Sequence, residues 1–101
     1  MSMAVFRVPS SNAAGINVLT SDDTVSRQSI HTRDAKALGL KGDFLYLRIQ
    51  GSDAGVDQAK KLAFQNKVGD LLPPEEAATV SKAIDAEEDA AAEGMGMIFG
   101  G

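Results

Sequence analysis

Asp85, Glu88 and Asp89 stand at i, i+3 and i+4, a spacing that gathers three carboxylates on one face of a helix, where they could attract a hard divalent cation. The plainer reading of the same three is a solvated acidic helix face. His31 is the only histidine, and no Gly-x-Ser-x-Gly elbow surrounds Ser10, Ser11, Ser26 or Ser29. It reads as a structural or solvent-facing residue. Asp22 and Asp23 fit a turn better than a cation pair. Cysteine is absent, which excludes disulfides, thiolate zinc sites and a cysteine nucleophile. The glycines at 94, 96 and 100 differ in spacing from the dinucleotide fingerprint, no helix follows them to offer amides to phosphate, and no Gly-Lys-Ser/Thr occurs. Nucleophile, base and stabiliser are nowhere set out in a recognisable pattern, so the chain reads as a non-enzymatic protein with no cofactor.

The elements that would carry these residues follow from periodicity. Residues 4–8 and 16–20 are short, β-branched runs bounded by turn formers and read as strands. Residues 24–30 read as an extended, half-exposed edge. Thr32 would cap a short helical turn over 33–38, stopped by Gly39. The clearest strand covers residues 44–50, with Leu45, Leu47 and Ile49 on one face and Phe44, Tyr46, Arg48 and Gln50 on the other. Gly51-Ser52-Asp53 gives a turn and a cap. An amphipathic helix follows over 54–66, with Val56, Ala59, Leu62 and Ala63 on its stripe. Pro74, Glu75 and Glu76 suit the start of a second helix, which should run to about Ala92 and stop at Gly94. Its stripe of Ala77, Val80, Ala83 and Ile84 lasts only two or three turns, and beyond it lie five acids and then Met95, Met97, Ile98 and Phe99 among glycines.

Composition bounds the rest. A chain of 101 residues holds one domain with a modest core. The net charge of −4 divides unevenly: residues 1–50 carry six cations and four acids, and residues 51–101 carry four lysines and ten acids. The first half could meet a polyanion, whereas the second would repel one. No apolar run approaches the ~18 residues of a membrane span, and the first residues lack a signal-peptide pattern, so a cytoplasmic location is expected, with no membrane partner.

Two segments resemble known families. Residues 27–47, through Leu38, Gly39, Leu40, Gly42 and Asp43, resemble the strand, short helix, Gly-Asp, strand segment of cradle-loop barrels, among them the AbrB and MazE regulators and antitoxins. The resemblance implies an intertwined homodimer in which Arg27 and Arg33 approach DNA phosphates, although a net negative protein is poorly suited to DNA. Residues 87–100 resemble the C-terminus of archaeal ribosomal stalk proteins, an acidic, alanine-rich hinge before an apolar tip that docks on translational GTPases. That resemblance implies a partner-binding role for Met95, Met97, Ile98 and Phe99. Alternatively, residues 97–99 fold back as an edge strand or pack on the chain's own core.

The expectation is thus an α+β protein: a small, mostly antiparallel sheet of about four strands in the N-terminal half and two C-terminal helices. A barrel-like arrangement is favoured, with a ferredoxin-like sandwich as the alternative. Residues 1–72 would form the compact domain and 73–101 an acidic helix with an apolar, Gly/Met-rich tail. The expected function is a regulatory or interaction module that binds a protein through this helix and tail. The alternatives are an AbrB-like DNA-binding regulator or antitoxin through Arg27 and Arg33, and a small divalent-cation domain through Asp85, Glu88 and Asp89.

Overall fold

Four antiparallel strands carry the structure, a computed structural model that describes the backbone of residues 1–100 and the side chains of residues 1–90. The strands are β1 (Ser2–Pro9), β2 (Ser29–Asp34), β3 (Phe44–Gly51) and β4 (Asp70–Leu71), in the order β2-β3-β1-β4. β1 and β3 are central, and every neighbouring pair is antiparallel. The connection from β1 to β2 contains α1 (Ile16–Thr20) and α2 (Asp23–Ser26), and that from β3 to β4 is α3 (Asp53–Gln65). Both connections pack on one face of the sheet, where Ile16, Leu19, Val25, Val56, Ala59 and Ala63 meet Ala4, Phe6, Val8, Leu47 and Ile49. This βαββαβ order, with two strand edges and both crossovers on one side, is the ferredoxin-like sandwich rather than the barrel. The last helix, α4 (Pro74–Gly100), covers the opposite face.

Local chemistry explains the elements that agree with the sequence. Along β3, Leu47 and Ile49 are fully buried against the crossover helices, as their alternation predicts. Ser52 caps α3 by accepting from the Gly55 amide at 3.0 Å. Gly39 ends a 3-10 turn, Lys36–Leu38, in the left-handed conformation with φ 71, which glycine adopts without a Cβ penalty. Pro74, Glu75 and Glu76 open α4.

Other elements differ. Residues 16–20 are helical, not a strand: Ile16 and Leu19, three apart, share one helix face and are buried, so tertiary burial overrides a weak β-branched preference. Residues 23–26 are likewise helical, because Asp22 accepts from the Val25 amide at 3.0 Å and Val25 is drawn into the core. β2 starts at Ser29 and takes in Thr32, Arg33 and Asp34, which pair with Leu47, Tyr46 and Leu45 of β3. Thr32 is therefore a strand residue, not a cap. α4 extends past Gly94, where a stop is expected from sequence, to Gly100. The fourth strand is Asp70–Leu71 rather than an N-terminal segment. It follows Gly69, where an added Cβ would lie 2.6 Å from the Arg7 carbonyl oxygen, so glycine lets the chain enter the sheet edge closely.

The second core, under α4, joins Val5, Tyr46, Leu72, Ala77, Val80 and Ile84 with Ala35. The stripe read from sequence on this helix therefore covers the sheet face that carries Phe44, Tyr46, Arg48 and Gln50. No helix among the described residues is long and apolar enough to cross a membrane.

Candidate functional site

The face beneath α4 collects three arginines and the histidine. The registers set His31 opposite Arg48, and Arg33 opposite Tyr46, which in turn lies opposite Arg7. Side chains two apart on a strand share a face, so Arg7, His31, Arg33 and Arg48 all point to the α4 side. α4 answers with Asp85, Glu87 and Glu88, which stand just past its last buried apolar residue, Ile84.

Arg48 is the centre of this arrangement. Only 3% exposed, it donates through Nη1 to Asp85 Oδ1 at 2.8 Å, to Ser81 Oγ at 2.9 Å and to the Ser81 carbonyl at 3.2 Å. Its Nη2 lies 3.4 Å from His31 Nδ1. A guanidinium can only donate, so Nδ1 accepts and the Nε2 proton of His31 is directed to Glu88 Oε1, 3.1 Å away. Arg33 bonds Glu87 through Nε, Glu88 through Nη2 at 3.2 Å and the Thr32 carbonyl through Nη1 at 3.0 Å. Two buried guanidinium protons, on Arg7 Nε and Arg48 Nε, make no hydrogen bond among the described residues. Arg7 instead stacks its guanidinium over the Phe44 ring, 5.1 Å from the centroid.

The residues singled out from sequence fall in different places. Arg33 joins this network, but Arg27 lies at the exposed end of α2 and pairs with Asp23 at 3.1 Å, so the two arginines do not form one surface. Asp85 and Glu88 each accept from cations of the sheet, and Asp89 is exposed. Among the described residues no group of three metal-ligating side chains is gathered. Asp22 serves as a helix cap. The side chains of Met95, Met97, Ile98 and Phe99 lie outside the described residues.

Sequence reasoning missed Arg7 and Arg48. The available signal was the second face of β3, where an arginine stands between Tyr46 and Gln50, taken together with a C-terminal apolar stripe that needs a surface to cover.

The Arg48–Asp85 pair should respond asymmetrically to substitution. Removing the carboxylate strands a buried cation, whereas removing the cation leaves a carboxylate whose side chain is 61% exposed and remains hydrated. Asp85→Ala is expected to lower stability by about 1 kcal/mol, the lower end of the range because water reaches the pair. Arg48→Met, which keeps the packed stem, is expected to be neutral or stabilising. Urea denaturation of the two variants checks this order.

Compared with models of protein families, with curated proteins and with solved structures, the chain shows no match to any of them.

Proposed function

We propose that the protein is a non-catalytic, cytoplasmic interaction module that offers the distal part of α4 to a protein partner. The observation that carries this reading is where the internal contacts of α4 weaken. Ala77, Val80 and Ile84 are buried, whereas none of residues 85–90 is, and the last described attachments to the sheet are the ion pairs of Glu87 and Glu88. A helix without an inward apolar stripe gains little from its own core, so its further apolar groups are better spent on another surface. The sequence supplies those groups at Met95, Met97, Ile98 and Phe99. The stalk-like pattern of residues 87–100 favours a translational GTPase as the partner class.

The test is calorimetric titration of a purified elongation-type translational GTPase with the full chain and with a variant lacking residues 94–101. The full chain is expected to bind. The truncated variant should lose at least tenfold in affinity, as the removal of aromatic and aliphatic anchors does, while its melting temperature stays the same. Equal binding by both, or a truncated variant that melts markedly earlier, would sink the reading.

A further inference from the structure

We infer that the sheet face beneath α4 is a binding surface for a single nucleic-acid strand, and that the acids of α4 occupy it in place of phosphates. The first support is where the arginines lie. The chain has four, and three of them, Arg7, Arg33 and Arg48, share this face with the only histidine, whereas none of the six lysines lies on β1, β2 or β3. Guanidinium is the cation whose planar fork matches phosphate oxygens. Docking of a helix requires none of this. An aliphatic side chain at position 48 would cover the sheet as well, without the desolvation of a charge.

The carboxylates of α4 also leave donors unused. The Nε proton of Arg48, whose Nη1 bonds Asp85, is buried and unpaired among the described residues. So is that of Arg7, which pairs with no described acid of α4, so the face offers more hydrogen bonds than its present occupant accepts. A phosphate, with more acceptor oxygens than a carboxylate, is the better complement.

Shape points the same way. His31 and Arg33 are two residues apart along β2, about 6.6 Å in a strand, comparable to the step between neighbouring phosphates in an extended nucleic-acid strand. Across the sheet, Tyr46 stands between Arg33 and Arg7, and Phe44 follows it on the same face. Tyr46 between two arginines, with the Phe44 ring under the Arg7 guanidinium, forms a stacking platform of the kind single strands use.

The cover is also removable from one end. The side chains of Asp85, Glu87 and Glu88 are 61%, 34% and 41% exposed, so salt and competing anions reach these pairs. Lifting this turn uncovers His31 and Arg33 and frees Arg48 from Asp85, leaving it bonded to Ser81. Rotation of α4 about Pro73 and Pro74, beyond the Leu72 amide that bonds the Val5 carbonyl, then uncovers Arg48 and Tyr46. The proposal does not depend on any partner of the tail.

The experiment uses the full chain and a fluorescein-labelled oligouridylate about ten nucleotides long, within the span one small domain covers, with an oligodeoxythymidylate of equal length as the DNA arm. Fluorescence anisotropy at low salt compares the parent with the triple variant Asp85→Asn, Glu87→Gln, Glu88→Gln, whose fold is verified by circular dichroism. The triple variant is expected to bind at least tenfold more tightly than the parent, with affinity that falls as salt rises. Adding Arg33→Ala to it should return affinity to the parent level. Ile84→Ala, which loosens α4 without altering charge, must also raise affinity, which keeps the test decisive if the triple variant does not fold. A folded triple variant that binds no more tightly, a gain that survives Arg33→Ala, or equally effective competition by an oligoglutamate peptide would each overturn the proposal.

Discussion

Phe6→Ala is expected to lower the unfolding free energy by about 3–5 kcal/mol, the largest single-residue effect foreseen for this chain. Phe6 is the largest fully buried side chain, and it sits in β1 with Leu47 of β3 on one side and Leu71 of β4 on the other. Its ring fills the space between the sheet and the crossover helices, among Leu19, Val56 and Val68 of the same cluster. Truncation removes the transfer energy of the ring and leaves a cavity that β1, paired on both edges, cannot close. In a domain of this size, whose whole stability is of the order of 5–15 kcal/mol, such a loss is a large fraction of the total. Each kcal/mol corresponds to about 4–8 °C in melting temperature, so the variant should melt roughly 12 °C or more below the parent. Urea denaturation with an unchanged slope would confirm that the loss belongs to the native state.

Ile84→Ala should be nearly as costly, at about 2–4 kcal/mol, and its effect should be of a different kind. Ile84 is fully buried and is the last described apolar anchor of α4. Its loss weakens the second core, Val5, Tyr46, Leu72 and their neighbours, while the cluster around Phe6 and Leu47 keeps its contacts. The ion pairs that follow it cannot compensate, because exposed pairs contribute a few tenths of a kcal/mol to about 1 kcal/mol and only while the helix is already docked. The variant is therefore expected to show partial opening of α4 before the sheet unfolds. Near-ultraviolet circular dichroism of Tyr46, which lies under α4, should change earlier in a urea titration than the far-ultraviolet signal.

How much of this was legible in the sequence depends on whether a residue's environment was set locally or by distant partners. The strand at 44–50 was clear because three aliphatic residues alternate with polar and aromatic ones, and α3 because its stripe repeats over about two turns. The cap at Ser52, the stop at Gly39 and the start at Pro74 are local chemistry, and each falls where the residue type demands. The segment 16–20 was misread because five residues carry too short a pattern to separate period two from period 3.6. Only the burial of Ile16 and Leu19 against α3 and β1 decides it. β4, two residues long, has no period at all.

The candidate site was legible by halves. Arg33, Asp85 and Glu88 stood out as charged residues, but from sequence each faced solvent or an external ligand. That they meet one another depends on α4 lying across the second face of the sheet, a tertiary fact that no local window contains. Arg48 was hidden for the same reason. A charged residue on the polar side of an alternating strand normally faces water, and here a helix from the far end of the chain covers it.

That covering is the claim on which the network, the proposed partner surface and the masked sheet face all rest. Native-state hydrogen exchange of the α4 amides tests it most directly. The amides of Val80, Ser81 and Ile84 are predicted to open with a free energy within about 1–2 kcal/mol of that of the central amides of β3, and addition of salt should lower the protection of residues 85–88 first. If the α4 amides exchange as an open coil while β1 and β3 remain fully protected, the helix does not cover the sheet and the account is wrong.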